Sequence, residues 1–226
     1  ASAGVVIPPP EYLPRLRAIC DRHGVLLIID EVINGFGRTG KMFASEHWNL
    51  VGDIMTVAKG LSSGYAPIGA AICRPKVVEA FTGSNEKKLA HLLTFGGQAV
   101  ACAAALANLD ILQRENLVDN AANMGAYLLE LLQGLAHHPT VGDVRGIGLL
   151  TGVELVKNRD SKEKFAIDSE EVKTLNALLA NGGLLTRASH IIFLAPPLCI
   201  TRAEVERMVE IIDNSITTFE QQFGYH

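Results

Sequence analysis

Hydrophobic residues in the first half of this 226-residue chain follow two alternating patterns. Apolar side chains at positions 13, 16, 19 and 20 recur at helical spacing, so we predict a helix ending at about His23, with Gly24 as its C-cap. Continuous apolar runs, typical of strands buried on both faces, follow at VLLIID (25–30), DIMTVAKG (53–60) and PIGAAICR (67–74). Helices alternating with such strands indicate an α/β fold.

Three further elements are predicted before the chain changes character. Residues 92–95 are expected to form a short strand, and QAVACAAALANLDILQR (98–114) predicts an alanine-rich helix that can pack closely. A long amphipathic helix is expected over 115–136.

The loop HHPTVGDVRGIG (137–148) is interpreted as a boundary between two domains, 1–138 and 139–226. Thr201 and Glu204 form a capping box at the start of the final helix. The pattern in the second domain predicts, in order, a strand over 149–156, a helix over 169–180, a strand around 191–194 and this final helix.

Composition favours a small-molecule protein. Net charge is −4, with 20 basic and 24 acidic residues spread along the chain, so no basic surface is expected for nucleic acid. The cysteines, Cys20, Cys73, Cys102 and Cys199, lie far apart without a C-x-x-C pair, which indicates reduced thiols and no structural metal site. Because no apolar run is long enough to span a bilayer, we expect no membrane partner and a cytoplasmic protein.

The stretch Gly35–Lys41 spells G-x-x-x-x-G-K and raises the hypothesis of a nucleotide-binding P-loop. A P-loop needs Ser or Thr after the lysine to bind Mg²⁺, but Met42 stands there. Asp30 and Glu31 at the preceding strand end would also repel a triphosphate. A glycine-rich surface or interface loop is the favoured interpretation.

Two charged residues end neighbouring apolar runs, Asp30 the first and Lys59 the second. An acid and a lysine at adjacent strand ends are what pyridoxal phosphate chemistry requires: the lysine forms a Schiff base, and the acid keeps the pyridine nitrogen protonated. We expect a partly desolvated lysine amine. Val32, two residues past Asp30, points to the same side and can pack on the ring.

Each of these residues also has an ordinary structural interpretation. Asp30 can serve as an N-cap or an ion-pair partner, and Lys59 as a strand-end lysine whose stem packs on apolar surface. Val32 can be a core valine. The pair of charges in this setting is what favours the chemical interpretation.

Five segments, in this order, resemble the class III (omega) aminotransferases that use pyridoxal phosphate: LLIIDEVINGFGRTGKMFASEHW, DIMTVAKGLSSGYAPIGAAI, HLLTFGGQAVACAAALANLDIL, DVRGIGLLTGVEL and LAPPLCITRAEVE. The resemblance implies fold type I, with part of the large-domain mixed sheet and a small C-terminal α+β domain. It implies that Lys59 is the Schiff-base lysine, Asp30 the acid on the pyridine nitrogen and Val32 the aliphatic residue on the ring. It further implies that Thr94 reaches the cofactor phosphate of the partner subunit in a homodimer with shared sites.

Arg187 resembles the arginine that binds the substrate carboxylate in many family members, although its spacing to APPL is one residue short. A guanidinium suits a carboxylate or sulfonate because it can donate two parallel hydrogen bonds. A surface arginine at a strand start is the alternative.

Family members are about twice as long as this chain, so the resemblance implies a missing N-terminal half. That half would carry the phosphate-binding turn and the aromatic residue on the other ring face, and without it the chain should expose apolar surface. The activity implied is transfer of an amino group from an omega-amino acid or amine, of the taurine or β-alanine type, to pyruvate or another 2-oxo acid. Ornithine, GABA and diaminobutyrate aminotransferases and an aminomutase remain open, as do a nucleotide-binding module and a non-catalytic assembly partner.

Overall fold

A computed structural model describes residues 3–91 and 93–225 of the chain. The helices are α1 (Tyr12–His23), α2 (Pro75–Glu79), α3 (Ala99–Arg114), α4 (Leu117–Gln133), α5 (Glu170–Asn181) and α6 (Arg202–Phe223). The strands are β1 (Ile28–Asp30), β2 (Ile54–Val57), β3 (Ala70–Cys73), β4 (Val141–Ile147), β5 (Leu150–Asn158), β6 (Glu163–Lys164), β7 (Arg187–Ala188) and β8 (Ile191–Leu194). The mixed α/β class expected from the sequence is confirmed.

The chain divides into two compact units, described separately below. The first unit is Pro8–Val118, and the second is Asp119–His226 together with Ala1–Ile7. The division therefore comes before α4 is complete, whereas the sequence pattern placed it after residue 138. The reason is that Ala121, Leu128 and Leu132 of α4 are fully buried in the core of the second unit.

The first unit contains a three-stranded mixed sheet in the order β1-β2-β3. β1 runs parallel to β2, and β3 runs antiparallel to β2. At its start the sheet is joined to α1, because Arg17 donates to Asp53 at 2.7 Å and the same carboxylate oxygen accepts from the Leu27 N–H at 2.8 Å. These donations hold the pKa of Asp53 below its ordinary value.

The prediction that these strands are buried on both faces is wrong. Ile28 of β1 is 59% exposed and Ile72 of β3 is 52% exposed. The register pairs Ile28 with Ile54, and Met55 with Ile72, so the exposed side chains lie on opposite faces. Burial on both faces requires covering elements on each side, and these exposures show that the cover is incomplete. The expected exposure of apolar surface is thereby confirmed.

The predicted strand over 92–95 is also wrong for the residues that are described. Leu92 lies outside them, while residues 94–97 form a turn. Gly97 has a φ of +69°, which glycine adopts easily, and the Gln98 side chain then accepts from the Ala101 N–H to cap α3. The turn therefore serves to start a helix.

The second unit contains a five-stranded sheet with the path β4-β5-β8-β7, and β6 pairs with β5 beside it. Its antiparallel strands pack against helices, and the side chains at the centre of the core are fully buried. They include Leu128, Leu132, Leu149, Val153, Leu155, Ile192, Ile212 and Ile216. The capping box of α6 is confirmed, since the Thr201 hydroxyl oxygen accepts from the Glu204 N–H and the Glu204 carboxylate accepts from the Thr201 N–H.

The segment interpreted as a boundary loop contains β4, which is a correction to the sequence analysis. Its glycines suggested a loop, but they lie where β4 passes close to β5. A Cβ on Gly146 would lie 2.5 Å from Cγ2 of Thr151, and one on Gly142 would lie 2.9 Å from Cγ1 of Val156. Glycine is needed here for close strand approach.

Helix α4 also passes very close to backbone, at the turn that follows β4. A Cβ on Gly125 would lie 2.2 Å from the carbonyl carbon of Gly148. The helix thus packs directly on backbone at this point. None of the described helices combines the length and the apolar character needed to cross a membrane.

Candidate active site

Parallel pairing brings the carboxyl ends of β1 and β2 to one edge of the sheet. Asp30, the last residue of β1, is the Cα partner of Thr56, and Lys59 follows β2 by two residues. The two residues singled out from the sequence therefore lie at the same edge. Ligand-binding groups of open α/β sheets occupy this position.

Lys59 begins a short 3₁₀ helix, Lys59–Leu61, and has a φ of +38°. Such a φ is uncommon for a residue with a side chain and is held in place by its surroundings. Asn108 of α3 supplies that support, because its Nδ2 donates to the carbonyl oxygens of Gly60 at 2.8 Å and Leu61 at 3.1 Å. Ser63 Oγ donates to Asn108 Oδ1 at 2.7 Å and completes the bracing.

The Lys59 side chain is exposed, so the expected partial desolvation of its amine is not present in this chain. Within the described residues the ammonium makes no hydrogen bond or ion pair. A lysine held on a fixed turn with a free amino group is available for chemistry with a ligand.

Asp30 is oriented by its own backbone. Its Oδ1 accepts from the Val32 N–H at 2.9 Å, which fixes the carboxylate and leaves Oδ2 without a partner among the described residues. Val32 is half-buried. The edge thus presents one free carboxylate oxygen and one free amino group.

Glu31, which the sequence analysis treated only as a second acid, has a separate structural role. It is 1% exposed, and its carboxylate accepts from the N–H groups of Ala44 at 3.0 Å and Ser45 at 2.8 Å. These amides begin the 3₁₀ helix Ala44–Trp48. The signal that could have identified this role is the two-residue period of a strand, which sends Asp30 and Glu31 to opposite sides.

This contact argues against a P-loop at Gly35–Lys41. A P-loop binds phosphate with free amides at a helix N-terminus, but here a buried carboxylate takes the amides at the start of the next helix. Lys41 is exposed. The loop packs on the lysine turn instead, since a Cβ on Gly60 would lie 3.1 Å from Cβ of Phe36.

The two remaining predicted site residues lie elsewhere. Thr94 is exposed in the turn before α3, and no hydrogen bond joins it to Asp30 or Lys59. Arg187 begins β7 in the second unit, where it pairs with Phe193 of β8, and its side chain is exposed. Within the described residues, neither the Thr94 hydroxyl nor the Arg187 guanidinium has a hydrogen-bond partner.

Comparison with known proteins gives a consistent result. Residues 1–216 match the family model described as aminotransferase class III. A taurine–pyruvate aminotransferase of Bilophila wadsworthia is 43% identical, over 99% of this chain and 51% of that protein.

Solved structures agree with the sequence match. An (S)-enantioselective omega-transaminase from Thermomicrobium roseum has a TM-score of 0.92 and 42% identity, covering 96% of this chain and 48% of that one. An amine transaminase from an uncultivated Pseudomonas species, described in its PLP-bound form, has a TM-score of 0.92 and 40% identity, covering 95% of this chain and 49% of that one.

The chain spans about half the length of the curated relatives that it matches. Within this chain the family model matches residues 1–216, and the Thermomicrobium roseum structure matches the fold with a TM-score of 0.92. The chain belongs to the class III aminotransferases.

Proposed function

We propose that this chain is the lysine-bearing C-terminal part of an aminotransferase that moves an amino group from an omega-amino acid or amine to pyruvate or another 2-oxo acid. One observation carries the proposal: the free amino group of Lys59 and the free carboxylate oxygen of Asp30 share one sheet edge. The match to a taurine–pyruvate aminotransferase favours a donor of the taurine or β-alanine type. Ornithine, GABA and diaminobutyrate enzymes and an aminomutase are the alternatives within the family.

The residues at the edge fit pyridoxal phosphate, the cofactor of the class III family. When bound, this cofactor supplies an aldehyde carbon that binds an amine and a protonated pyridine ring that withdraws electrons. Nζ of Lys59 would hold the aldehyde carbon. Oδ2 of Asp30 would accept a hydrogen bond from the ring nitrogen and, as a negative charge beside it, would keep the proton there.

Lys59 would also move the proton. Its Nζ, when released, would accept the proton from the substrate Cα and deliver it to the cofactor's former aldehyde carbon, on the other side of the substrate nitrogen. The fixed turn limits where Nζ can reach, since the backbone of Lys59 follows the end of β2 and Asn108 holds the next two carbonyl oxygens. Val32 would offer its methyl groups to one face of the ring.

Arg187 and Thr94 complete the proposal for binding. The Arg187 guanidinium would bind the carboxylate or sulfonate of the substrate through two parallel hydrogen bonds. The Thr94 hydroxyl would bind the cofactor phosphate of the partner subunit in a cytoplasmic homodimer with shared sites. Both side chains are exposed in this chain, which leaves them accessible to a ligand or a partner.

Borohydride reduction of the complete protein, loaded with cofactor, tests the assignment of Lys59, because the 226-residue chain alone is expected to bind the cofactor weakly. Reduction fixes the cofactor covalently to the amine that holds it, and peptide mass spectrometry should find the pyridoxyl group on Lys59. Lys41→Ala is the matched control, because Lys41 is also an exposed lysine beside a glycine-rich turn. The control should keep the adduct and the transfer activity, whereas Lys59→Ala should lose both.

An adduct on another lysine, or full turnover by the Lys59→Ala variant, would overturn the assignment. The donor is then identified by following the cofactor spectrum in single half reactions with taurine, β-alanine, GABA, ornithine and a simple amine. If ornithine were the one donor in this panel that changed the cofactor spectrum, the taurine-type proposal would be replaced by one of the alternatives.

A further inference from the structure

Two histidines and an aspartate form a cluster in the second unit, outside the candidate active site. His137 ends the 3₁₀ helix Gly134–His137, His138 follows it, and Asp213 comes from α6. Nε2 of His138 lies 2.8 Å from Oδ1 of Asp213, and Nε2 of His137 lies 3.5 Å from the same oxygen. Two imidazole nitrogens therefore converge on one carboxylate oxygen.

The other nitrogen of each ring faces a group that can only accept a hydrogen bond. Nδ1 of His137 lies 2.9 Å from the carbonyl oxygen of Gly134, and Nδ1 of His138 lies 2.7 Å from Oε2 of Glu220. Each Nδ1 is therefore placed to donate a hydrogen bond to its acceptor. In the neutral ring this leaves the lone pair on Nε2, which in both cases faces Asp213.

We propose that His137, His138 and Asp213 bind a divalent transition metal ion, with Zn²⁺ as the fitting ion. Metal-binding histidines almost always donate their second N–H to a carboxylate or a backbone carbonyl, which is the arrangement of both rings here. Two imidazoles and one carboxylate suit zinc and its neighbours and leave a fourth position for water.

The spacing of the three ligand atoms is compatible with that ion. They lie within 4.8 Å of one another. Zinc bonds of about 2.0–2.2 Å in a tetrahedral site separate ligands by about 3.3–3.5 Å, so small side-chain rotations complete the geometry. A bound ion would lie between Nε2 of His138 and Oδ1 of Asp213, which are 2.8 Å apart in this structure.

The surroundings hold the site in this arrangement. Glu220 is buried, and its Oε1 accepts from the backbone N–H of Thr140 at 3.0 Å and from Thr140 Oγ1 at 2.6 Å. Arg159 donates to the carbonyl oxygens of Ala136 and His138, which fixes the segment that carries both histidines. The ligands are thus oriented in advance, which lowers the cost of binding.

The two sides of the cluster differ in access. The side chain of His138 is 4% exposed, while those of His137 and Asp213 are 62% and 43% exposed. An ion can therefore enter from solvent on the side of His137 and Asp213. A bound ion would fasten α6 to the segment between α4 and β4, which is a structural role separate from the proposed transfer reaction.

The test is a titration of the full chain, free of a polyhistidine tag, with ZnCl₂ alone. It is carried out in a Cys199→Ser background, because Cys199 is the exposed thiol and zinc also binds thiolates. We expect one saturable site for Zn²⁺ and none for Mg²⁺, a cation that prefers oxygen ligands. His137→Ala and Asp213→Asn should each weaken binding by at least about tenfold, and Glu220→Gln by about 10- to 100-fold.

His23→Ala is the matched control, since His23 is an exposed histidine at the end of α1, and its affinity for zinc should be unchanged. The two main variants alter exposed side chains and are expected to fold, which circular dichroism checks. In side-chain ¹⁵N spectra, zinc should shift Nε2 of His137 and His138 while Nδ1 stays protonated. Absence of binding at millimolar Zn²⁺, or an affinity in both variants equal to that of the Cys199→Ser parent, would overturn the proposal and leave an ion-pair cluster.

Discussion

Gly125 of α4 offers a sharp test of the packing in the second unit, because a single added carbon would strike backbone. A Cβ at this position would lie 2.2 Å from the carbonyl carbon of Gly148, 2.3 Å from its oxygen and 2.4 Å from its Cα. Ordinary contact begins at 3.4 Å, so Gly125→Ala requires the helix and the turn to separate by about 1 Å. Backbone cannot rotate away as a flexible side chain can.

Two effects of Gly125→Ala have opposite signs, and their sizes decide the outcome. Overpacking of this kind costs about 1–3 kcal/mol, and a backbone contact belongs at the upper end. Alanine regains about 1 kcal/mol of helix propensity over glycine. The net expectation is a loss of about 1–2 kcal/mol in the free energy of unfolding, which lowers Tm by about 2–8 °C for a chain of this size.

Gly134→Ala is the control for this prediction. A Cβ on Gly134 would meet nothing within 4 Å, so the same chemical change should be neutral or stabilise by up to about 1 kcal/mol. Urea denaturation followed by circular dichroism measures both variants. Equal stabilities for the two would show that α4 does not approach the turn as closely as described.

Two further predictions concern the first unit, and a third concerns the whole chain. In the unmodified chain, the Leu27 N–H and Arg17 hold the pKa of Asp53 below its ordinary value of 3.8 when the protein is folded. As pH falls below 3.8, this stabilisation is lost, so the free energy of unfolding should fall more steeply in the unmodified chain than in Asp53→Asn. Parallel pH profiles for the two proteins would contradict this. Asn108→Ala removes donations of 2.8 and 3.1 Å to the carbonyls after Lys59, and should destabilise the unit by about 1–3 kcal/mol and speed hydrogen exchange at residues 60–62; unchanged exchange would show that the turn does not depend on it. The 226-residue chain alone should bind pyridoxal phosphate weakly by absorbance titration, since it spans about half the length of its relatives; tight binding by a sample whose mass excludes a second polypeptide would refute this.

Local patterns predicted the helices well. α1 ends at His23 with Gly24 in the left-handed conformation, and Thr201 caps α6 as its spacing with Glu204 indicated. These signals involve neighbours in sequence, and their physics is complete within one turn of helix. The parallel pairing of Asp30 with Thr56 is different, because it joins residues that are 26 positions apart in the sequence.

The features that the sequence pattern predicted wrongly or missed depend on residues far apart in the chain. The glycines of β4 looked like a loop because their reason, the close passage of β5, is not visible in the local sequence. Asn108 lies 48 residues from Gly60, and Asp213 lies 75 residues from His138, so neither partnership has a local signature. Pairings of this kind are decided by tertiary packing.

Glu31 also determines how accurately its neighbour is placed. Its N–H donates to the Thr56 carbonyl oxygen at 2.9 Å, while its carboxylate binds two amides of the following loop. If β1 slipped by one residue, Glu31 would replace Asp30 at the edge, and a buried capping position would lose its acceptor. Misregistration therefore carries an energetic penalty of its own, so the shorter acid is presented at the edge even in a strand of only three residues.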